Sequence, residues 1–311
     1  MESSTLRALE PELRAVIEAV PLWAGASRME VSPIPGGITN RNLRVDVDGA
    51  SFVVRVPGAD TELLGIDRQA ERRAAEMAAA AGVGPEVVAY LPDRQVLVTR
   101  FIEGQSISEE AMRKPGNLEP VVEALRALHR GPDIPGTFSP FRVVERYRDV
   151  AEARGVRIPD AYRALHGLAA GIEGALGGFT PRPCHNDLLN ANFIRSGDRI
   201  FIVDYEYAGM GDPFFDLANF SVNHGFDDDD DARLLETYFG GLTEGRTGRL
   251  KLMRIMSDFR EGMWGVVQQG ISALDFDYVD YADRHLARCR RLGQDHRVPS
   301  WLESTTMEPG G

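Results

Sequence analysis

Lysine is nearly absent from this chain. Of 35 basic residues in 311, only Lys114 and Lys251 are lysine, and neither lies in the first third. Any cation needed there must be an arginine, whose planar fork of donors suits phosphate oxygens. Cysteine is scarce too: Cys184 and Cys289 give no disulfide framework and fit a reducing, cytoplasmic setting. No apolar run approaches the roughly 18 residues that a membrane-spanning helix needs. The first residues lack a basic stretch followed by an apolar core, so no secretory signal is expected. Positive charge is in deficit, 47 acidic residues against 35 basic for a net −12. That argues against a nucleic-acid partner, whose phosphates need lysine and arginine, and mildly favours a cationic small molecule. Apolar content is an ordinary 43%, and the length allows one large or two medium domains.

What is present divides in two. An amphipathic lead helix is expected over 9–24, with Pro11 near its start. Strand-like runs follow at 29–34, 41–48 and 51–56, separated by Pro35-Gly36-Gly37 and Asp48-Gly49. Residues 67–81 are rich in helix formers and stop at Gly82, and strand runs return at 87–91 and 95–102. From Ile107 helical periodicity takes over, at 107–131, 141–176, 212–224, 231–240 and 247–291, interrupted by a loop and short hairpin over 184–205. The expected fold is α+β. An N-terminal lobe, 1–103, carries an antiparallel sheet and one crossing helix, and a larger, mainly helical C-terminal lobe spans 104–311. A cleft between lobes is where a ligand commonly binds. The run Asp227–Asp231 reads as a solvated loop opening a helix, and the tail after Pro299 as frayed.

The chemistry concentrates in Cys184-His185-Asn186-Asp187-Leu188-Leu189-Asn190-Ala191-Asn192, followed by the apolar run Ile200–Val203 and Asp204-Tyr205-Glu206. Phosphoryl transfer needs positioning and charge neutralisation more than covalent work. Asp187 is the candidate base for an attacking hydroxyl. Asn192 and Asp204 offer hard oxygen ligands for Mg²⁺ at one end of a hairpin, and Glu206 could support a second metal or its waters. His185 reads as a residue that braces the loop. In Pro35-Gly36-Gly37-Ile38-Thr39-Asn40 the glycines let backbone amides approach phosphate. Arg55, on the third strand, reads as the phosphate cation, with either Glu71 or Glu76 as its partner. Trp264, Phe259, Phe276, Tyr278 and Tyr281 read first as packing. Together with Glu261 they could also receive an organic cation.

These residues resemble a known family. Gly36–Asn40, Phe52–Gly58, the His185–Asn192 loop, Asp204-Tyr205-Glu206-Tyr207 and the Met263–Gln268 helix look like the choline/ethanolamine kinases, within the aminoglycoside-phosphotransferase-like group. The resemblance spans about residues 30 to 290 and implies a two-lobed, protein-kinase-like fold. It also implies ATP and Mg²⁺ as cofactors, and transfer of phosphate to the hydroxyl of choline or ethanolamine. It assigns Asp187 as base, Asn192 and Asp204 as metal ligands, and Arg55 in place of the kinase lysine, paired with Glu71. Gly36, Gly37, Thr39 and Asn40 would cover the nucleotide, while Arg100 and Ile102 would meet adenine through their backbone. Tyr207 and Trp264 would wall the amino-alcohol pocket. Glu261 stands where eukaryotic members carry a second tryptophan, which implies a smaller or more anionic pocket and leans toward a bacterial member. The resemblance leaves a homodimer open. The competing readings are a kinase of another small hydroxyl substrate, such as thiamine or an aminoglycoside, and an inactive nucleotide-binding protein.

Overall fold

Alternation of apolar and polar side chains builds the first lobe. The structure, a computed structural model, describes residues 6, 9–35, 40–58, 60–272 and 274–307. Helix α1 (Pro11–Glu18) starts on a proline, whose missing N–H costs nothing in a first turn. It ends well short of residue 24 because Pro21 cannot continue it and opens a 3-10 turn instead. Strands β1 (Met29–Ile34), β2 (Asn40–Val47) and β3 (Ala50–Pro57) form an antiparallel meander. In β2, Leu43, Val45 and Val47 point into the core while Arg44 and Asp46 stay partly exposed, the period-two signature of a one-sided sheet. Asp48 and Gly49 at the β2–β3 turn both take positive φ, 47° and 88°, as a two-residue hairpin requires. Helix α2 (Arg68–Ala80) is capped by the Asp67 carboxylate and precedes β4 (Val87–Leu91) and β5 (Val96–Arg100). The sheet order is β1-β2-β3-β5-β4. Trp23 and the apolar face of α1 cover one side, with the Trp23 and Phe52 rings 5.7 Å apart. Each such large buried side chain contributes about 1.5–3 kcal/mol.

The second lobe breaks its expected helices at prolines and glycines. After β6 (Gln105–Ser106), the run 107–131 splits into α3 (Glu109–Met112) and α4 (Pro115–His129), because a residue before proline is held out of the helical region. The run 141–176 becomes α5 (Pro140–Ala153) and α6 (Tyr162–Leu176), parted by left-handed Gly155 and by Pro159. A two-stranded ribbon pairs β7 (Arg182–Cys184) with a later strand. Strands β8 (Phe193–Ser196) and β9 (Arg199–Ile202) form a hairpin that joins β6. The partner of β7 is β10 (Gly209–Gly211), followed by α7 (Pro213–Asn223) and α8 (Asp228–Phe239). The run 247–291 is two helices, α9 (Glu244–Ile271) and α10 (Tyr278–Gly293), the second capped by Asp277.

Two expectations are corrected. The tail after Pro299 is not frayed through residue 307: it belongs to α11 (Val298–Met307), whose Trp301 is buried against α9. Nor is the Asp227–Asp231 run simply solvated. Asp227 forms a capping box with Asp230, and Asp231 is buried between Lys251 and Arg254. Among the described residues no helix is long and apolar enough to cross a membrane. The large core of the second lobe reaches across to Ala74, Ala75, Met77 and Ala78 of α2, so the crossing helix is anchored by both lobes.

Candidate active site

A short ribbon delivers the central loop, and one helix fastens it. Strand β7 runs into His185, Asn186 and Asp187, with Asn186 at φ 65°. The fully buried Asp216 carboxylate accepts the backbone N–H groups of His185 (2.8 Å) and Asn186 (2.6 Å). Asn219 accepts the N–H of Leu188 at 2.6 Å and donates to Ser257. These groups come from one polar stripe, Asp212, Asp216, Asn219 and Asn223, along an otherwise apolar α7. Buried polar side chains are tolerated where they are paired in this way. His185 takes the bracing position. Its Nε2 donates to the Val203 carbonyl (2.9 Å), its Nδ1 receives the Asp187 N–H (3.2 Å), and burial depresses its pKa.

The β8–β9 hairpin brings Asn192 and Asp204 to one end. Phe193 pairs with Ile202, and the Val203 N–H bonds to the Asn192 carbonyl, so the chain enters and leaves the hairpin side by side. The Asn192 amide nitrogen donates to the Asp187 carbonyl at 2.8 Å. Asp204 pairs with the Arg55 guanidinium, which also lies 3.4 Å from Glu71. Glu76 instead pairs with Arg72 and Arg73 at the surface, so Glu71 is the partner. Arg68, which the sequence reading passed over, ties the group together. Its guanidinium meets Glu71 (2.7 Å), Asn40 (2.9 Å) and Thr61 (3.0 Å) and lies 3.6 Å from Glu206. Asn40 donates to Glu206 at 2.8 Å, so both ends of its amide are engaged inside this network. Gly36, Gly37 and Thr39 lie outside the described residues.

Burial pushes the Glu206 carboxyl up to about 8, with the Asp204 charge adding to it. Burial acts on Asp204 in the same direction, but Arg55 outweighs it and holds that carboxyl below its ordinary value. A cavity of about 350 Å³ opens beside these groups, with Val53, Ala75, Leu97 and Ile194 as apolar walls and Arg55, Glu71, Asn192 and Asp204 at its polar end. Arg100 and Ile102 line it. The N–H groups of Arg100 and Phe101 are taken by Glu86 and Ser51, whereas that of Ile102 has no backbone partner among the described residues.

On the other side of Asp187 stand the aromatic residues. Trp264 Nε1 donates to the Tyr207 hydroxyl (3.0 Å), and the Tyr281 hydroxyl donates to Glu261 (2.8 Å). Trp264 also meets Tyr278 and Tyr281 edge-on, with centroids 5.9 and 5.4 Å away. Between them lies Arg260, a second residue the sequence reading missed. Its guanidinium sits 4.3 Å over the Tyr207 ring, pairs with Glu261 and lies 3.4 Å from Asp187 Oδ1. It is 1% exposed, and its Nε and Nη2 have no hydrogen-bond acceptor among the described residues. The signal was present in principle: Arg260 lies one turn before Trp264 and so shares its helix face. Burial raises the Asp187 carboxyl to about 7, against the pull of Arg260 and helped by Glu261. A carboxylate titrating near neutrality, set between a polar-ended cavity and an aromatic cluster, can accept a proton from a hydroxyl placed beside it.

The chain is similar to known proteins along most of its length. Protein LicA of Haemophilus influenzae is 30% identical over 268 residues, covering 83% of this chain and 78% of that one. Ethanolamine kinase 2 of Mus musculus is 26% identical over 304 residues, covering 87% and 77%. The crystal structure of a choline/ethanolamine kinase family protein from Mesorhizobium loti superposes with a TM-score of 0.82 at 34% identity, over 95% of this chain and 98% of that one. The two-lobed architecture is therefore the protein-kinase-like one. Residues 30–252 match the phosphotransferase enzyme family (APH), and with the fold and these relatives in agreement, the chain belongs to that family and is a small-molecule phosphotransferase.

Proposed function

We propose that the protein transfers the terminal phosphoryl group of ATP, with Mg²⁺, to the hydroxyl of a small amino alcohol, choline or ethanolamine. One observation carries this reading. Asp187 stands at the junction of two environments, bonded through its carbonyl to Asn192 at the cavity's polar end and through its carboxylate to the Arg260–Tyr207 cluster. On this reading residues 1–103 form the nucleotide lobe and 104–311 the catalytic and acceptor lobe, in a cytoplasmic enzyme. Asp187 orients the acceptor hydroxyl and takes its proton, a role typically worth roughly 10²–10⁴-fold in rate. Arg55 meets the phosphates, held in place by Glu71. Arg100 and Ile102 border the adenine end.

The donor set fits a hard cation. The amide nitrogen of Asn192 is engaged, which leaves its carbonyl oxygen as the ligand atom, and Asp204 has one carboxylate oxygen not bonded to Arg55. Bound there, Mg²⁺ would neutralise charge on the phosphate oxygens. Glu206 is already held by Asn40, which suits it to orient the surroundings of the ion.

Tyr207, Glu261 and Trp264 would receive the ammonium. With the Arg260 guanidinium over Tyr207, one face of that ring already holds a cation, and the nearby anionic groups are carboxylates. A primary ammonium can donate hydrogen bonds to Glu261 and a quaternary one cannot, so ethanolamine is the better fit of the two. Purified protein with ATP and Mg²⁺ should release ADP when given ethanolamine or choline, in a panel that includes thiamine and an aminoglycoside. Turnover with neither amino alcohol overturns the reading, and turnover with thiamine alone moves the substrate within the family.

A further inference from the structure

A second cavity, of about 310 Å³, lies behind the catalytic loop where α4, β7, α7 and α9 meet. Its lining includes Arg126, Arg130, Arg182 and Arg249 against a single carboxylate, Asp212. That balance is unusual in a chain whose acidic residues outnumber its basic ones 47 to 35. Elsewhere in this lobe some exposed arginines, Arg142, Arg157, Arg284 and Arg297 among them, hold a carboxylate, and others such as Arg163 stand outside any cavity of this kind.

The four arginines differ in availability. Arg249 is buried, bonded to Asp212 (2.6 Å) and to the Leu176 carbonyl (2.9 Å), and serves as a fixed floor. Arg126 caps the last carbonyls of α8 through Tyr238 (2.7 Å). The guanidinium groups of Arg130 and Arg182 have no ion pair and no hydrogen bond among the described residues. Like charges gathered in one concavity repel and lower stability until a counter-charge arrives. Most of the remaining wall is aromatic, from Phe179, Phe214, Tyr238 and Phe239, and Phe179 is left 41% exposed, with the Arg249 guanidinium 5.9 Å from its ring centre.

We propose that this cavity is a binding site for an organic oxyanion, a phosphomonoester or carboxylate carrying a flat apolar body. Arg130 and Arg182 grip the anionic group, and Phe179 covers the ring. The site is wired to the catalytic loop at two points. Arg182 begins β7, the strand that runs into His185. His129, which also lines the cavity, bonds at 2.9 Å to Asp216, the residue that holds the N–H groups of His185 and Asn186. Occupancy therefore alters the turnover rate without any contact to the nucleotide.

Phenyl phosphate is the probe, with benzyl alcohol as its neutral counterpart and inorganic phosphate as the anion alone. Calorimetric titrations are run with the nucleotide site saturated by a non-hydrolysable ATP analogue and Mg²⁺. Phenyl phosphate should bind more tightly than either control and weaken as salt is raised. The double variant R130A/R182A, which leaves the Arg249–Asp212 pair intact, should lose at least roughly tenfold in affinity for it while keeping nucleotide affinity. Equal affinity in the double variant, equal binding of benzyl alcohol, or no heat at millimolar probe overturns the site. Binding that leaves kcat unchanged overturns the link to the loop.

Discussion

Asp187 makes the sharpest demand on a single atom. Replacing it by Asn keeps the shape but removes the proton acceptor proposed for the reaction, so kcat should fall by roughly 10²–10⁴-fold while nucleotide affinity, read by fluorescence titration, stays as it was. Unchanged turnover would take Asp187 out of the reaction. Arg260→Met should free the Tyr207 face and raise the ratio of kcat/KM for choline over ethanolamine by several-fold, since one cation–aromatic contact is worth about 0.5–2 kcal/mol. An unaltered ratio would mean that the guanidinium only packs there. His224 predicts acid sensitivity. Its Nδ1 bonds to the Phe220 carbonyl (2.7 Å), its Nε2 is buried without a partner among the described residues, and burial lowers its pKa to about 4 from 6.5. Between those values the unfolded chain binds a proton that the native state refuses. Stability should therefore fall as pH drops from about 6.5 to about 4, by roughly 3 kcal/mol. Urea titrations across that range should show a slope that His224→Gln flattens. At this scale the sequence exposed Asp187, Asn192 and Asp204 because their order and spacing form one local pattern. Arg68 and Arg260 were hidden because an arginine on a helix looks the same whether it faces water or a buried carboxylate.

Helix α9 carries Arg260, Glu261 and Trp264, and its close neighbours fix its position. A Cβ on Gly248 would lie 2.9 Å from the Trp301 carbonyl and 2.5 Å from Ser304 Oγ. The hydroxyl can rotate away, but the carbonyl belongs to the backbone of α11, so that helix must shift. Gly248→Ala should cost about 1–3 kcal/mol, read as a lower urea midpoint with an unchanged slope. A stability equal to the parent would mean that α11 adapts freely. Elements were legible wherever period and punctuation agreed, as in β1 to β5 and in α7. They were misjudged where two amphipathic helices follow one another through a short connection, since the 3.6-residue pattern continues across the break. The burial of Asp231 could not be read locally, because Lys251 and Arg254, which make it affordable, lie on another helix.

The two lobes meet through charges that neither could bury alone. Arg68 and Glu71 come from α2, while Asp204 and Glu206 follow the β8–β9 hairpin, and Arg55 reaches them from β3. Arg68→Met would leave Glu71 and Glu206 facing each other with less compensation. A loss of about 3–5 kcal/mol is expected from removing one partner of a buried set, together with weaker nucleotide binding. Calorimetry of the variant with and without nucleotide separates the two effects, and a variant as stable as the parent would show the network to be replaceable. The order of strands and helices told of two lobes. It said nothing of this shared interior, which pairs residues far apart in the chain.

The scarcity of lysine has a practical corollary. Among the side chains, Lys114 is largely exposed, Lys251 is buried in an ion-pair cluster, and the cavity proposed for the nucleotide is lined by Arg55 and Arg100 and by no lysine among the described residues. Chemical proteomics that tags kinases with amine-acylating nucleotide analogues would pass this enzyme by, however active it was, and its abundance in such a survey would read as zero.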